Sequence, residues 1–161
     1  MRGDAQIEEL YREHVADAVR LAYLLTGDRE GAQDLAHDAF VRAAGRLSSL
    51  RRESSFAPYL RRAVVNACIS QRRRLAVRRS YLERHGNREP TFEMPDVEER
   101  DAIIRAMATL PARQRAAIVL RFWVDLSEAE MATAIGCSVS AVRALLQRGL
   151  ATLRTRSEVQ R

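Results

Sequence analysis

Apolar residues recur with a helical period along most of the chain. Ile7, Leu10, Tyr11, His14, Val15, Ala18, Leu21, Ala22 and Leu25 follow a repeat of about 3.6 residues, which predicts a first helix that Gly27 ends. Asp28 is placed to cap a second helix, with Ala32, Leu35, Ala36, Ala39, Phe40, Ala43 and Leu47 as its inner stripe. After a polar turn over 48–55, Pro58 is tolerable in a first helical turn, and a third helix sets Leu60, Ala63, Val64 and Ala67 on one face before ending in Arg72, Arg73 and Arg74. From Ala76 to Asp96 the pattern fails; Gly86, Pro90 and Pro95 stand among scattered charges, the composition of a flexible linker. Periodicity returns with Val97, Ile103, Ile104, Met107 and Leu110, and again after Pro111 with Ala117, Ile118, Leu120, Phe122 and Trp123. No two-residue strand alternation persists. The expected fold class is all-α: two small helical modules, 1–75 and 97–161, joined by a flexible linker over 76–96, the second module containing a helix-turn-helix.

Composition narrows the partners. The 27 basic residues are all arginine, against 21 acids, for a formal charge of +6. Codon bias in a GC-rich genome accounts for the missing lysine but not for the excess of positive charge, which favours a polyanion. The charge is also unevenly laid out, at −3 over 1–50, +8 over 51–90, −3 over 91–130 and +4 over 131–161. Two basic patches alternating with two acidic stretches suggest nucleic acid met at two places and another partner at the acidic faces. The same layout predicts that the modules attract each other in the free chain and mask both DNA surfaces. Cys68 and Cys137 lie far apart without a CxxC or Cys/His cluster, which supports neither a disulfide framework nor a zinc site, and both are expected to be small buried hydrophobes. The longest apolar runs, Leu21 to Leu25 and Ala116 to Leu120, are far too short for a membrane span, so a cytoplasmic protein without membrane insertion is expected.

Three constellations carry chemistry. Ser127 and Glu130 form an S-x-x-E capping box that opens a helix through Ile135; Gly136 supplies a tight turn; Ser138 is a plausible next N-cap; Val139, Val142, Leu145 and Leu146 line the inside of the following helix. That spacing is a helix-turn-helix, whose second helix presents Ser138, Ser140, Ala141, Arg143, Ala144 and Gln147 to a major groove with Arg148 near flanking phosphates. An ordinary αα-hairpin with a solvated arginine face is the competing account. Around the third helix, Phe56, Tyr59, Arg61, Arg62, Asn66, Arg72, Arg73 and Arg74 interleave rings, an amide and cations, which suits unpaired bases; Phe56 and Tyr59 fit a core role equally well. Asp34, His37 and Asp38 lie opposite the apolar stripe of the second helix. They suit a solvated or protein-binding face better than a metal or general-base site, because no second ligand cluster, nucleophile or phosphate loop accompanies them.

The run Asp34-Leu35-Ala36-His37-Asp38-Ala39-Phe40, then Phe56, Tyr59-Leu60, Asn66 and Arg73, then Leu110-Pro111-Ala112-Arg113-Gln114-Arg115 and the helix-turn-helix, resembles a bacterial extracytoplasmic-function sigma factor of the sigma-70 family. The resemblance spans nearly the whole chain in the family's order, region 2, linker and region 4. It implies a non-enzymatic specificity subunit without cofactor or small-molecule substrate. It gives Asp34, His37 and Asp38 a docking role on the β′ clamp helices of core RNA polymerase, with the β subunit a further contact. Phe56, Tyr59, Arg62, Asn66, Arg72 and Arg73 would melt and capture the −10 element, and Arg115, Ser138, Ser140, Ala141, Arg143, Gln147 and Arg148 would bind the −35 element of promoter DNA. An anti-sigma factor is a further partner the family admits. His37 stands where the family usually has glutamine, Ala141 where threonine is common and Tyr59 where tryptophan is frequent. A stand-alone helix-turn-helix regulator is the alternative reading, though it leaves the basic third helix unexplained, and a helical enzyme or metalloprotein using Asp34, His37 and Asp38 is another.

Overall fold

The computed structural model describes residues 2–50, 55–85 and 98–159, the side chains of residues 2, 71–85 and 98–101 excepted. Among the described residues there is no strand. The helices are α1 (Arg2–Thr26), α2 (Arg29–Gly45), α3 (Phe56–His85), α4 (Glu98–Ala108), α5 (Ala112–Phe122), α6 (Glu128–Ile135) and α7 (Val139–Val159), with a 3-10 turn over Leu47–Ser49.

The first three helices pack on one another through the stripes the sequence marks. Leu10, Ala18, Leu21, Ala22 and Leu25 of α1 meet Ala32, Ala36, Ala39, Phe40 and Ala43 of α2, whose small side chains let the two axes approach closely. α3 closes the bundle with Phe56, Leu60, Val64, Val65 and Cys68. Edge-to-face rings link the three: Tyr11 to Phe40 at 5.0 Å and Phe40 to Phe56 at 5.5 Å between centroids. Asp28 stands at the N-cap of α2 in an extended conformation, but its side chain caps nothing; its own amide donates to the Thr26 hydroxyl. Its carboxylate still carries negative charge to the positive end of the helix dipole. α3 runs beyond the arginine triplet to His85, so the stretch expected as linker over 76–96 starts as helix, and residues 86–97 lie outside the described residues. The cause is local. Residues 76–85 hold three Arg and one each of Ala, Leu and Glu with no Gly or Pro, and Gly86 is the first breaker, so propensity sustains a helix where the apolar stripe has stopped.

In the second module α5, α6 and α7 pack together, with α6 and α7 meeting at 93°. The turn between them needs Gly136, whose φ of 77° is left-handed; a Cβ there would meet nothing within 4 Å, so conformation rather than space demands glycine. Gly149 of α7 has the opposite reason. It is buried in helical geometry, and a Cβ would come within 3.1 Å of Ile118 Cγ1 on α5.

The modules also pack on each other. Six consecutive residues of α5, Arg115 to Leu120, are buried, which requires cover on every side of the helix: α6 and α7 from its own module, α1 and α3 from the other. Ile103, Phe122 and Trp123, assigned to the periodic apolar face, are exposed instead.

Candidate polymerase and nucleic-acid interfaces

Asp34, His37 and Asp38 are exposed on α2 at helical spacing, and Val41, one turn further on, is 56% exposed on the same stripe. The His37 ring meets the Tyr11 ring edge-on at 6.3 Å. Together they form an exposed acidic stripe that ends in an exposed valine. Among the described residues no three His, Cys, Asp or Glu side chains are grouped so that they could hold a metal ion.

The expected −10 surface divides. Arg62 and Asn66 are exposed and Tyr59 is half-buried, and their spacing places them along one face of α3. Phe56 is a correction. It is fully buried, with ring centroids 5.5 Å from Phe40 and 5.6 Å from His14, and is a core residue because α1 and α2 cover it with these rings. Arg72 and Arg73 lie on the backbone of α3, with side chains outside the described residues.

The helix-turn-helix assembles as its spacing predicts. Ser127 accepts the Glu130 amide at 3.2 Å while the Glu130 carboxylate accepts the Ser127 amide at 2.8 Å, a complete capping box. These Ser127 contacts, backbone amide first and hydroxyl second, hold the Glu130 carboxyl below its ordinary value, with a smaller contribution from Arg61 of α3 across the module boundary. Ser138 accepts the Ala141 amide at 3.1 Å and starts α7. Ser140, Arg143, Gln147 and Arg148 are exposed on α7, and Ala141 is half-buried beside them. Cys68 is buried, but Cys137, in the turn, is only half-buried.

Arg115 is the second correction. It is fully buried, and its Nε donates to the carbonyl of Leu24 on α1 at 2.8 Å, so in this arrangement it ties the modules together and cannot reach a phosphate. The two short apolar runs of the sequence, Leu21 to Leu25 and Ala116 to Leu120, meet where this bond forms. A run apolar on all sides of a helix signals double-sided burial, and that signal could have found the contact. Beside it a cleft of about 450 Å³ opens between the modules, lined among others by His14, Leu21, Leu60, Arg61 and Trp123.

Residues 10–78 match the Sigma-70 region 2 family and residues 100–153 the Sigma-70 region 4 family. Over 96% of its length the chain is 30% identical to the RNA polymerase sigma-E factor of Streptomyces antibioticus, covering 86% of that protein. It is 31% identical over 91% of its length to the ECF RNA polymerase sigma factor SigM of Mycobacterium tuberculosis, covering 74% of it. The chain belongs to the extracytoplasmic-function sigma factors of the sigma-70 family. The fold agrees. The sigma factor RpoE of Bartonella quintana, solved with the anti-sigma factor NepR, superposes at a TM-score of 0.74 and 19% identity over 97% of this chain and 99% of that one. CnrH, solved with the cytosolic domain of CnrY, superposes at 0.68 and 20% identity over 98% and 91%. This sigma factor therefore directs promoter-specific transcription initiation, and the reading as a stand-alone regulator falls away. No single helix among its described residues is long and apolar enough to cross a membrane.

Proposed function

We propose that this sigma factor docks on core RNA polymerase through the α2 stripe of Asp34, His37 and Asp38, opens the −10 element with the α3 face of Tyr59, Arg62, Asn66, Arg72 and Arg73, and reads the −35 element with Ser138, Ser140, Ala141, Arg143, Gln147 and Arg148 of α7. The observation that carries the assignment is the complete helix-turn-helix, capped at both helix starts, with its outward face free in a region-4 module. It acts in the cytoplasm as a specificity factor, not as an enzyme. The modules are 1–75 and 97–161, and they separate on promoter DNA.

Separation is required by length. The −10 and −35 elements lie about 25 base pairs apart, about 85 Å at about 3.4 Å each. A compact chain of this size has a radius of gyration of about 15 Å, too small to reach both at once. The packed arrangement is thus the free form, and Arg115 serves a phosphate only after it leaves Leu24. An anti-sigma factor that holds the packed form is the partner such a mechanism admits, and two of the structural neighbours are seen with anti-sigma partners.

The docking assignment is tested by Asp34→Arg with Asp38→Arg. Both positions are exposed, so the cost in stability is within about 0.5 kcal/mol. The double variant should not co-elute with purified core polymerase, and co-elution at wild-type affinity would remove α2 as the docking face.

A further inference from the structure

The recognition helix carries an ion pair that a helix-turn-helix does not need in order to fold. Arg143 donates from Nε to Glu128 Oε2 at 2.7 Å, although its side chain is 67% exposed. Glu128 is the first residue of α6, so the bond spans the two helices where they cross at 93°. Capping does not use Glu128, since Ser127 and Glu130 supply it. The guanidinium is a rigid planar fork with its donors fixed relative to one another. With Nε tied to α6, the terminal Nη1 and Nη2 groups make no other hydrogen bond among the described residues, and they form the edge that pairs with two acceptors side by side.

Building on the assignment of Arg143 to the −35 element, we propose that Glu128 is a positioning residue for base readout: it holds Arg143 so that the Nη edge meets the O6 and N7 acceptors of a guanine in the major groove. An untethered arginine must lose its rotamer freedom on binding and can settle on a neighbouring phosphate instead, whereas a held one has only the base edge within its reach. The carboxylate also repels the phosphate backbone that the first helix of such a motif crosses, so Glu128 lowers overall attraction while sharpening choice. Glu128 touches no base itself.

The experiment uses the full chain assembled with core polymerase, on promoter duplexes with each base in turn at every −35 position, comparing wild type, Arg143→Ala, Glu128→Ala and Glu128→Gln. Arg143→Ala should flatten the preference for guanine at one position by about fivefold or more, the size of a bidentate contact. Glu128→Ala should flatten it at the same position by about twofold to fivefold and, in the Arg143→Ala background, should add nothing. Both Glu128 variants lose the same charge and should bind all sequences more tightly alike, but Glu128→Gln keeps an acceptor for Nε and should retain the preference. A general weakening of the fold would not single out one base position or be rescued by glutamine. An unchanged or sharper profile for Glu128→Ala, beside a flattened one for Arg143→Ala, overturns the positioning role alone. An unchanged profile for Arg143→Ala overturns the recognition assignment and the positioning role with it.

Discussion

Helices α5 and α7 belong to one module and both carry arginines assigned to the −35 element, yet the structure treats them oppositely. α7 keeps Arg143, Gln147 and Arg148 on an open face. α5 is covered on both sides, and its Arg115 is spent on a carbonyl of the other module. Of the residues proposed to bind the −35 element, Arg143, Gln147 and Arg148 are therefore presented in this arrangement and Arg115 is withheld. The charge layout predicts that both DNA surfaces are masked, whereas in this arrangement Arg143, Gln147 and Arg148 on α7 and Arg62 and Asn66 on α3 are exposed. Among the described residues, the modules meet through the buried residues of α5 and the Arg115 guanidinium on Leu24, and Arg61 of α3 lies near enough to Glu130 to favour its charged form.

The contrast between buried and presented residues is broken most forcefully at Phe56. Phe56→Ala should destabilise the protein by about 3–5 kcal/mol, as for other buried aromatics, with a matching fall in the urea midpoint. Tyr59→Ala, half-buried on the same helix, should cost far less and reduce open-complex formation instead. If Phe56→Ala left stability intact and abolished only promoter opening, Phe56 would return to the DNA face.

Next in size is Arg115→Ala, which leaves the Leu24 carbonyl without its charged donor. A loss of about 1.5–3 kcal/mol is expected, together with a larger radius of gyration in X-ray scattering as the modules separate. An unchanged radius would show that α5 is held by its apolar contacts alone. The withheld surface can also be released whole: residues 97–161 alone should bind a −35 duplex more tightly than the full chain at low salt, with a log–log salt slope steeper by about 1 for each phosphate contact regained. Equal or weaker binding by the fragment at every salt concentration would end the idea that packing withholds any of it.

The smallest effect tests Glu130, the one acid among the described residues whose titration is shifted. Glu130 is depressed in the folded protein by the Ser127 amide and hydroxyl, so its contribution is full above the ordinary glutamate value and is lost as pH falls through the lowered one. Glu130→Gln keeps a capping box but does not ionise, so the stability gap between wild type and variant should shrink on going from neutral pH to below about pH 4. A gap that stays constant with pH would mean that the carboxylate charge adds nothing to the cap.

Wherever one local rule decides, the sequence by itself was sufficient. The apolar stripes marked α1, α2 and the start of α3; Gly27 and Gly136 marked turns whose left-handed φ values demand them; Ser127 and Glu130 marked the start of α6 to the residue. Asp34, His37, Asp38, Arg143 and Gln147 were placed on outer faces because helical spacing fixes which side of a helix a residue occupies. The end of α3 was misplaced because the apolar periodicity in the sequence stops near Ala67, while the helix continues to His85. Three further matters belonged to the tertiary structure. Spacing puts Phe56 on a face of α3 but does not say whether Phe40 and His14 cover it. Nothing near Arg115 in the chain names the Leu24 carbonyl, 91 positions away, as its acceptor. The bond from Arg143 to Glu128 exists because α6 and α7 cross at 93°, and a crossing angle is set by how side chains interlock between helices, which no periodicity within one helix records.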